Sequence, residues 1–191
     1  MNRASVYEKK RIHVGCGERY FEDFINIDIK LPADMLCDVR RGIPLESGAY
    51  EFVFCEHFFE HLDYPISAEF FLQESLRLLK DSGELVIGVP DSKLPIYAYV
   101  NNDISYYNER KRRLREKRNV IVDGMLDVVN YHFRDMDNDA KYSPHYWAYD
   151  EEKIIAMMKR IGFSDAHKWE IDERLVNPKR INRTIYVVGI K

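Results

Sequence analysis

The sequence lacks any uncharged apolar run long enough to span a bilayer, so it offers no transmembrane helix. Its first residues, MNRASVYEKKR, lack the apolar stretch that a signal peptide needs. Cysteine is scarce. Cys16, Cys37 and Cys55 are widely spaced and form neither a disulfide framework nor a zinc pattern. Together these absences lead us to expect a reducing, cytoplasmic setting. A dominant sign of charge is also missing. At a net charge of −3, the whole molecule exerts no strong pull on nucleic acid or anionic lipid. No internal repeat or low-complexity segment is present.

What the chain does have is an ordinary globular composition, 46% apolar and 32% charged over 191 residues, enough for one domain with a sizeable core. Short apolar runs alternate with turns and helices. Lys10–Val14 reads as a strand closing on Gly15-Cys16-Gly17. Phe24–Ile29 reads as a second strand, with Asp28 near its end, and Met35–Val39 as a third, carrying Cys37 and Asp38. Arg40–Tyr50 contains Gly, Pro and Ser and reads as a loop. Glu51–Cys55 is a fourth strand, apolar without alternation, as suits burial on both faces of a parallel sheet. Pro65–Lys80 is the clearest helix. Leu72, Leu76 and Leu79 share one face, and Gly83 follows as a stop signal. Glu84–Val89 is the fifth strand. Asp150 caps a helix that runs to Gly162, with Ile154, Met158 and Ile161 as its apolar face. Ala166–Ile171 and Thr184–Ile190 close the chain as strands.

This alternation predicts an α/β fold with a doubly wound, mostly parallel seven-stranded sheet. One stretch breaks the rhythm. Ser92–Tyr149 holds the basic run Glu109–Arg118 and many tyrosines, among them Tyr97, Tyr106, Tyr131 and Tyr142. It reads as a helical, Tyr-rich insertion after the fifth strand, laid over an edge or the mouth of the sheet and too poor in aliphatics for a core of its own. The expectation is a single domain over residues 1–191, with residues 92–149 as a lid or acceptor region.

In doubly wound sheets, ligands bind beyond the carboxyl ends of the strands. Gly15, Asp28, Asp38 and the pair Cys55-Glu56 all fall at such ends. Glycines let a ligand approach the backbone closely, and a carboxylate at the tip of the next strand can accept hydrogen bonds from a ribose diol. The pattern proposes a nucleoside site. Only Glu18–Asp23 lies between Gly17 and Phe24, where a crossover helix usually takes about ten or more residues, so a turn or a single helical turn is expected there.

These segments resemble the class I (Rossmann-like) S-adenosylmethionine-dependent methyltransferases, in a small variant with a shortened first crossover. GCG followed by INIDI carries the resemblance first, then IPLESGAYEFVFCEHFFEHL. ESLRLLKDSGELVIGVPD is similar to their helix-turn-strand, with Glu74, Arg77, Leu79, Lys80 and Gly83 on the pattern. HYWAYDEEKIIAMMKRIGF looks like their late helix. The resemblance covers most of the chain outside Ser92 to about Lys141. It implies S-adenosylmethionine lying over Gly15, Cys16 and Gly17, with Asp28 on the ribose hydroxyls and Asp38 near the adenine amino group. Ile29 and Val39 stand beside those acids, and Cys55, Glu56 and His57 lie under the sulfonium end. It also implies methyl transfer to an unidentified small-molecule or glycan-type acceptor. The alternative is a non-catalytic binding or scaffold protein on the same fold.

Several residues admit more than one role. His57 and His145 are the candidate general bases for an acceptor. His57-Phe-Phe-Glu60-His61 spells the H-x-x-E-H order of inverted zinc proteases. Because it directly follows a buried strand, the expectation is that Glu60 and His61 brace the next loop and that no metal is held. The cysteines read as small residues at close approaches. The basic run is either a solvated helix face or, through Arg112, Arg113 and Arg115, a grip on RNA. The helix face is the expectation, and nucleic acid is not an expected partner.

Overall fold

A computed structural model describes residues 8–118, 120–134 and 144–191. Seven strands form one sheet in the order β3-β2-β1-β4-β5-β7-β6. They are β1 (Arg11–Val14), β2 (Phe24–Asp28), β3 (Met35–Leu36), β4 (Tyr50–Glu56), β5 (Leu79–Pro90), β6 (Asp165–Lys168) and β7 (Thr184–Ile190). β7 is antiparallel to both of its neighbours, and the remaining pairs are parallel. Among the described residues the helices are α1 (Ile66–Leu78), α2 (Lys93–Val100), α3 (Ile104–Arg118), α4 (Met125–Arg134) and α5 (Glu151–Ile161). No helix among them is long and apolar enough to cross a membrane. The expected mostly parallel α/β sheet is therefore present.

The central strands send alternate side chains into two apolar layers. Ile12, Val14, Ile25, Ile27, Val53, Cys55 and Ile87 pack with Phe71 and Leu72 of α1 and with Ile154, Met157 and Met158 of α5. Phe24, Phe54 and Val86 face the other way. With both faces buried, the run Glu51–Cys55 has no polar side to alternate with. The second face is thinly covered. Phe21, Trp169 and Leu175, from connecting segments, pack over it.

The first crossover explains that thinness. Between β1 and β2 the chain makes turns only. The buried Asn26 side chain does the work of a missing helix. Its Nδ2 donates to Phe21 O (2.7 Å) and Phe24 O (3.1 Å), and its Oδ1 accepts from Phe21 N (3.0 Å). Asp34 braces the same turn, accepting from Asn26 N at 2.9 Å and from the Tyr20 hydroxyl. His13 lies among Phe21, Phe24 and Phe54, and burial pushes its pKa down to about 4.

Some boundaries differ from expectation. α1 ends at Leu78, and Leu79 leads directly into β5. Gly83 is not a helix stop. A Cβ there would meet Lys80 O at 2.9 Å, so the residue serves a close backbone approach beside Ser82, whose φ is 61°. β3 is two residues long, and Asp38 instead caps a 3-10 turn, Val39–Arg41. β6 ends at Lys168, short of Ile171. α5 follows the sequence closely. Asp150 Oδ1 accepts from Lys153 N at 2.8 Å, and Gly162 closes the helix at φ 119°.

The described part of the segment after β5 carries α2, α3 and α4. Contrary to expectation, it has a small apolar cluster of its own. Leu114, Val120, Val122 and Val128 pack together beneath Tyr106, Tyr107 and Tyr131. The valines beyond α3 supply the aliphatic surface that the tyrosine-rich helices lack. Tyr142 lies outside the described residues. Along α3, Arg112 pairs with Glu116 and Arg113 with Glu109, each at 2.9 Å and one helical turn apart. Arg115 donates to Val122 O at 3.1 Å. This is the charge pattern of a solvated helix face.

Candidate active site

The sheet register sets the ends of β1, β2 and β4 side by side, with Val14 opposite both Ile27 and Cys55. The chain leaves β1 through Gly15, at φ 66°, whose N–H donates to Ile27 O at 2.8 Å. A Cβ at Gly15 would lie 2.5 Å from the Phe58 ring, so no other residue fits. Gly17, at φ 52°, donates its N–H to Asp28 Oδ2 at 2.9 Å. Lys30 N donates to Asp28 Oδ1 at 3.0 Å. One carboxylate thus ties the loop after β1 to the tip of β2. A Cβ on Gly17 would meet nothing within 4 Å, and Ile29 is 65% exposed, so open space lies over this junction. A glycine turn, an acid at the next strand tip and room above them fit a nucleoside ligand.

The other residues expected at the rim are placed as follows. Asp38 reaches the rim beside Asp28, since Cys37 N donates to Asp28 O at 2.9 Å. Its carboxylate already accepts from Arg40 Nε and Nη2, both at 2.8 Å, which holds its pKa below the usual range. Val39 is buried in the core. Burial raises the Cys16 thiol to about 11 and the Cys55 thiol well above its ordinary value. Both sulfurs are therefore poor nucleophiles, which supports the packing reading.

Glu56 is more heavily engaged than the sequence indicated. It accepts from Tyr186 Oη, from Asn177 N (2.9 Å) and from Arg19 Nη1 (2.7 Å). Gly88 makes room for this, because a Cβ there would lie 2.6 Å from the Tyr186 ring. The carboxylate clamps together the loop after β1, the segment before β7 and β7 itself. Arg19, Asn177 and Tyr186 were not singled out from sequence. They lie up to 130 positions from Glu56, and no local pattern marks them.

His57 occupies a strained backbone position, φ 54°, at the end of β4. Its N–H donates to Gly88 O at 2.8 Å, and its Nε2 lies 2.9 Å from Thr184 Oγ1. Its Nδ1 stands 3.3 Å from Oε1 of Glu60, which is 1% exposed. His145 approaches the same oxygen, with Nε2 at 3.8 Å. Tyr146 N donates to Glu60 O at 2.8 Å and pins the His145 segment to the turn after β4. The structure thus brings the two candidate bases, 88 positions apart in the numbering, onto one carboxylate. Burial opposes ionisation of Glu60, but the imidazoles of His57, His145 and His61 outweigh it and its pKa lies below the usual range. A cavity of about 10 Å³ adjoins the cluster, lined in part by Glu60, Ser92, His145 and Tyr149.

A mostly parallel sheet with a glycine turn and an acid at its carboxyl rim is the arrangement in which α/β folds offer a nucleoside site. Residues 13–87 match the family model described as a methyltransferase domain. No curated protein matches the chain. Among solved structures, an S-adenosylmethionine-dependent methyltransferase from Methanosarcina mazei is similar at 12% identity and TM-score 0.54, covering 100% of this chain and 97% of that one. One from Archaeoglobus fulgidus is similar at 16% identity and TM-score 0.52, covering 97% and 88%. Phosphoethanolamine N-methyltransferase 2 of Haemonchus contortus, in complex with S-adenosyl-L-methionine, is similar at 10% identity and TM-score 0.50, covering 99% and 52%. These likenesses establish the fold, and the domain match spans the glycine turn, Asp28 and β4. The chain thus has the fold of the S-adenosylmethionine-dependent methyltransferases, and its residues 13–87 carry the match to the methyltransferase domain.

Proposed function

We propose that the chain transfers the methyl group of S-adenosylmethionine to a small-molecule or glycan-type acceptor held between the sheet rim and segment 92–149. The observation that carries this reading is the Asp28 carboxylate hydrogen-bonded to Gly17 N at 2.9 Å, under open space. When bound, the cofactor supplies a sulfonium-activated methyl for in-line displacement. Asp28 accepts the ribose hydroxyls, and the Gly15–Gly17 turn gives the ligand close access to backbone N–H groups. Asp38, committed to Arg40, acts through the turn it caps. Glu56 acts through Arg19 and Tyr186, keeping the rim in shape beneath the sulfonium end.

What remains for the protein is to align the acceptor and remove its proton. The cluster of His57, Glu60 and His145 is the group placed for the second task. Trp147 and Tyr146, 43% and 54% exposed next to His145, present aromatic faces to an acceptor. The methyltransferase-domain match favours this enzyme over the binding or scaffold alternative. The test is incubation with methyl-labelled S-adenosylmethionine and panels of small hydroxylated, amino and glycan acceptors. Label is expected in one acceptor class, and Glu60→Gln should lower turnover by roughly 100-fold or more while cofactor affinity holds. Glu60→Gln turnover equal to wild type would remove the cluster from the mechanism.

A further inference from the structure

Glu60, the residue on which this site converges, poses an unanswered chemical question. It is 1% exposed, and among the described residues neither carboxylate oxygen receives a well-formed hydrogen bond, the nearest ring nitrogen being His57 Nδ1 at 3.3 Å from Oε1. A buried carboxylate without donors is costly and rare. The side chains around it do not answer it as donors. His61 Nδ1 lies 3.2 Å from Pro144 O, and a carbonyl can only accept, so the proton of that ring sits on Nδ1. His145 Nδ1 lies 3.1 Å from His132 O, which fixes its proton in the same way. His57 Nε2 meets Thr184 Oγ1, whose own proton goes to Arg180 O at 2.9 Å, so the His57 proton sits on Nε2. Each of the three rings has its tautomer set by an oxygen outside the cluster. In His57 and His145 the opposite nitrogen stands 3.3 Å and 3.8 Å from Glu60 Oε1.

This is the second-layer pattern of metal-binding histidines, whose remote N–H is held by a carbonyl or carboxylate while the other nitrogen coordinates. One ring nitrogen each of His61 and His145 and one Glu60 oxygen lie within 4.8 Å of one another. The 3.8 Å from His145 Nε2 to Glu60 Oε1 is long for a hydrogen bond but ordinary for two ligands of one ion, each about 2.0–2.2 Å from it. The cavity of about 10 Å³ beside Glu60 and His145 has room for one further small ligand. A second buried group without a partner, the Tyr149 hydroxyl, lines it.

We propose that Glu60, His61 and His145 hold a divalent transition-metal ion, with zinc best suited to two imidazoles and one carboxylate. Three protein ligands leave a coordination position open toward the cavity, the arrangement of a catalytic rather than a structural site. An acceptor hydroxyl bound there would lose its proton near neutral pH, as metal-bound water does. That role rests on the methyl-transfer reading above, whereas the metal site does not. The H-x-x-E-H order seen in the sequence contributes only its second and third members. The third ligand, His145, comes from the end of segment 92–149; with the ion bound, the metal takes over the proton removal assigned above to the cluster, and His57 positions Glu60.

The test uses the full chain freed of any affinity tag, stripped with chelator, incubated with excess Zn²⁺, desalted and assayed for metal by mass spectrometry. About one zinc per chain is expected to remain, with a raised melting temperature. His145→Ala and the isosteric Glu60→Gln should each weaken Zn²⁺ binding at least tenfold, whereas His167→Ala, at an exposed position on β6, should not. Wild-type protein loaded with Co²⁺ should show the intense visible bands of a four- or five-coordinate ion, a readout that needs no variant. Retention near zero, or a weak six-coordinate cobalt spectrum, would overturn the proposal. S-adenosylmethionine binding by calorimetry on the stripped protein is expected to persist, so loss of the metal site and loss of the methyltransferase reading are separate results.

Discussion

At the scale of single residues, two buried or half-buried polar side chains make opposite demands. Asp28 offers a carboxylate to the rim while its two oxygens hold Gly17 N and Lys30 N. Asp28→Ala should therefore weaken S-adenosylmethionine binding by roughly 10- to 100-fold, by losing charged hydrogen bonds to the ribose and loosening the turn. Unchanged affinity in calorimetry would remove Asp28 from the site. His13 demands instead to stay neutral. Burial among aromatic rings lowers its pKa from 6.5 to about 4, so the unfolded chain takes up a proton that the folded chain refuses. The stability His13 contributes is full above pH 6.5 and drains away as pH falls toward 4, by about 3 kcal/mol at most. Urea unfolding at pH 7 and pH 4.5 should show this loss, and His13→Phe should reduce it. An identical acid limb in the variant would contradict the assignment. Asn26 Oδ1 still accepts from Phe21 N in that variant, so the comparison isolates the ring's titration.

At the scale of elements, the crossover between β1 and β2 is the unusual piece. A parallel connection ordinarily needs a helix to return the chain. Here Asn26, fully buried in β2, satisfies the carbonyls of Phe21 and Phe24 and the N–H of Phe21. Asn26→Ala removes all three bonds and leaves Phe21 N without its partner, although Phe21 O keeps Phe24 N and Phe24 O keeps Lys9 Nζ, and should cost roughly 1–3 kcal/mol in chemical denaturation. A cost under about 0.5 kcal/mol, the size of an ordinary surface change, would show that the turn supports itself. The sequence made the brevity of this crossover visible but not its remedy, since Asn26 reads like any strand residue between two isoleucines. α5 was legible almost to the residue, because Asp150 and Gly162 mark its ends chemically. The end of α1 was not, because Leu79 and Lys80 suit either a helix or the strand that claimed them. On α3, the pairs Arg112–Glu116 and Arg113–Glu109 engage two of the run's seven basic residues along the helix face. Replacing Arg112, Arg113 and Arg115 by Gln should leave RNA retention unchanged at physiological salt. A steep, salt-dependent loss would instead mark a nucleic-acid surface.

At the scale of the whole molecule, one sheet rim collects groups scattered along the chain. In the proposed function, the turn after β1 and the tip of β2 are its nucleoside side, and the 3-10 turn after β4 with the segment around His145 is its acceptor side. The first side was legible because a glycine turn and an acid at successive strand ends are local patterns. The Glu56 clamp and the convergence of His57 and His145 on Glu60 were not, since they depend on pairings such as Glu56–Asn177 and Glu60–His145, 121 and 85 positions apart. The family match covers residues 13–87, so it contains the nucleoside side and the turn with Glu60 but not His145. The central claim is that this rim binds S-adenosylmethionine despite its shortened first crossover. Titration calorimetry of the cofactor-free chain with S-adenosylmethionine and with its demethylated product tests it most directly. One site per chain for both ligands, weakened in Asp28→Ala, is the predicted result; no detectable heat of binding with either ligand would contradict it.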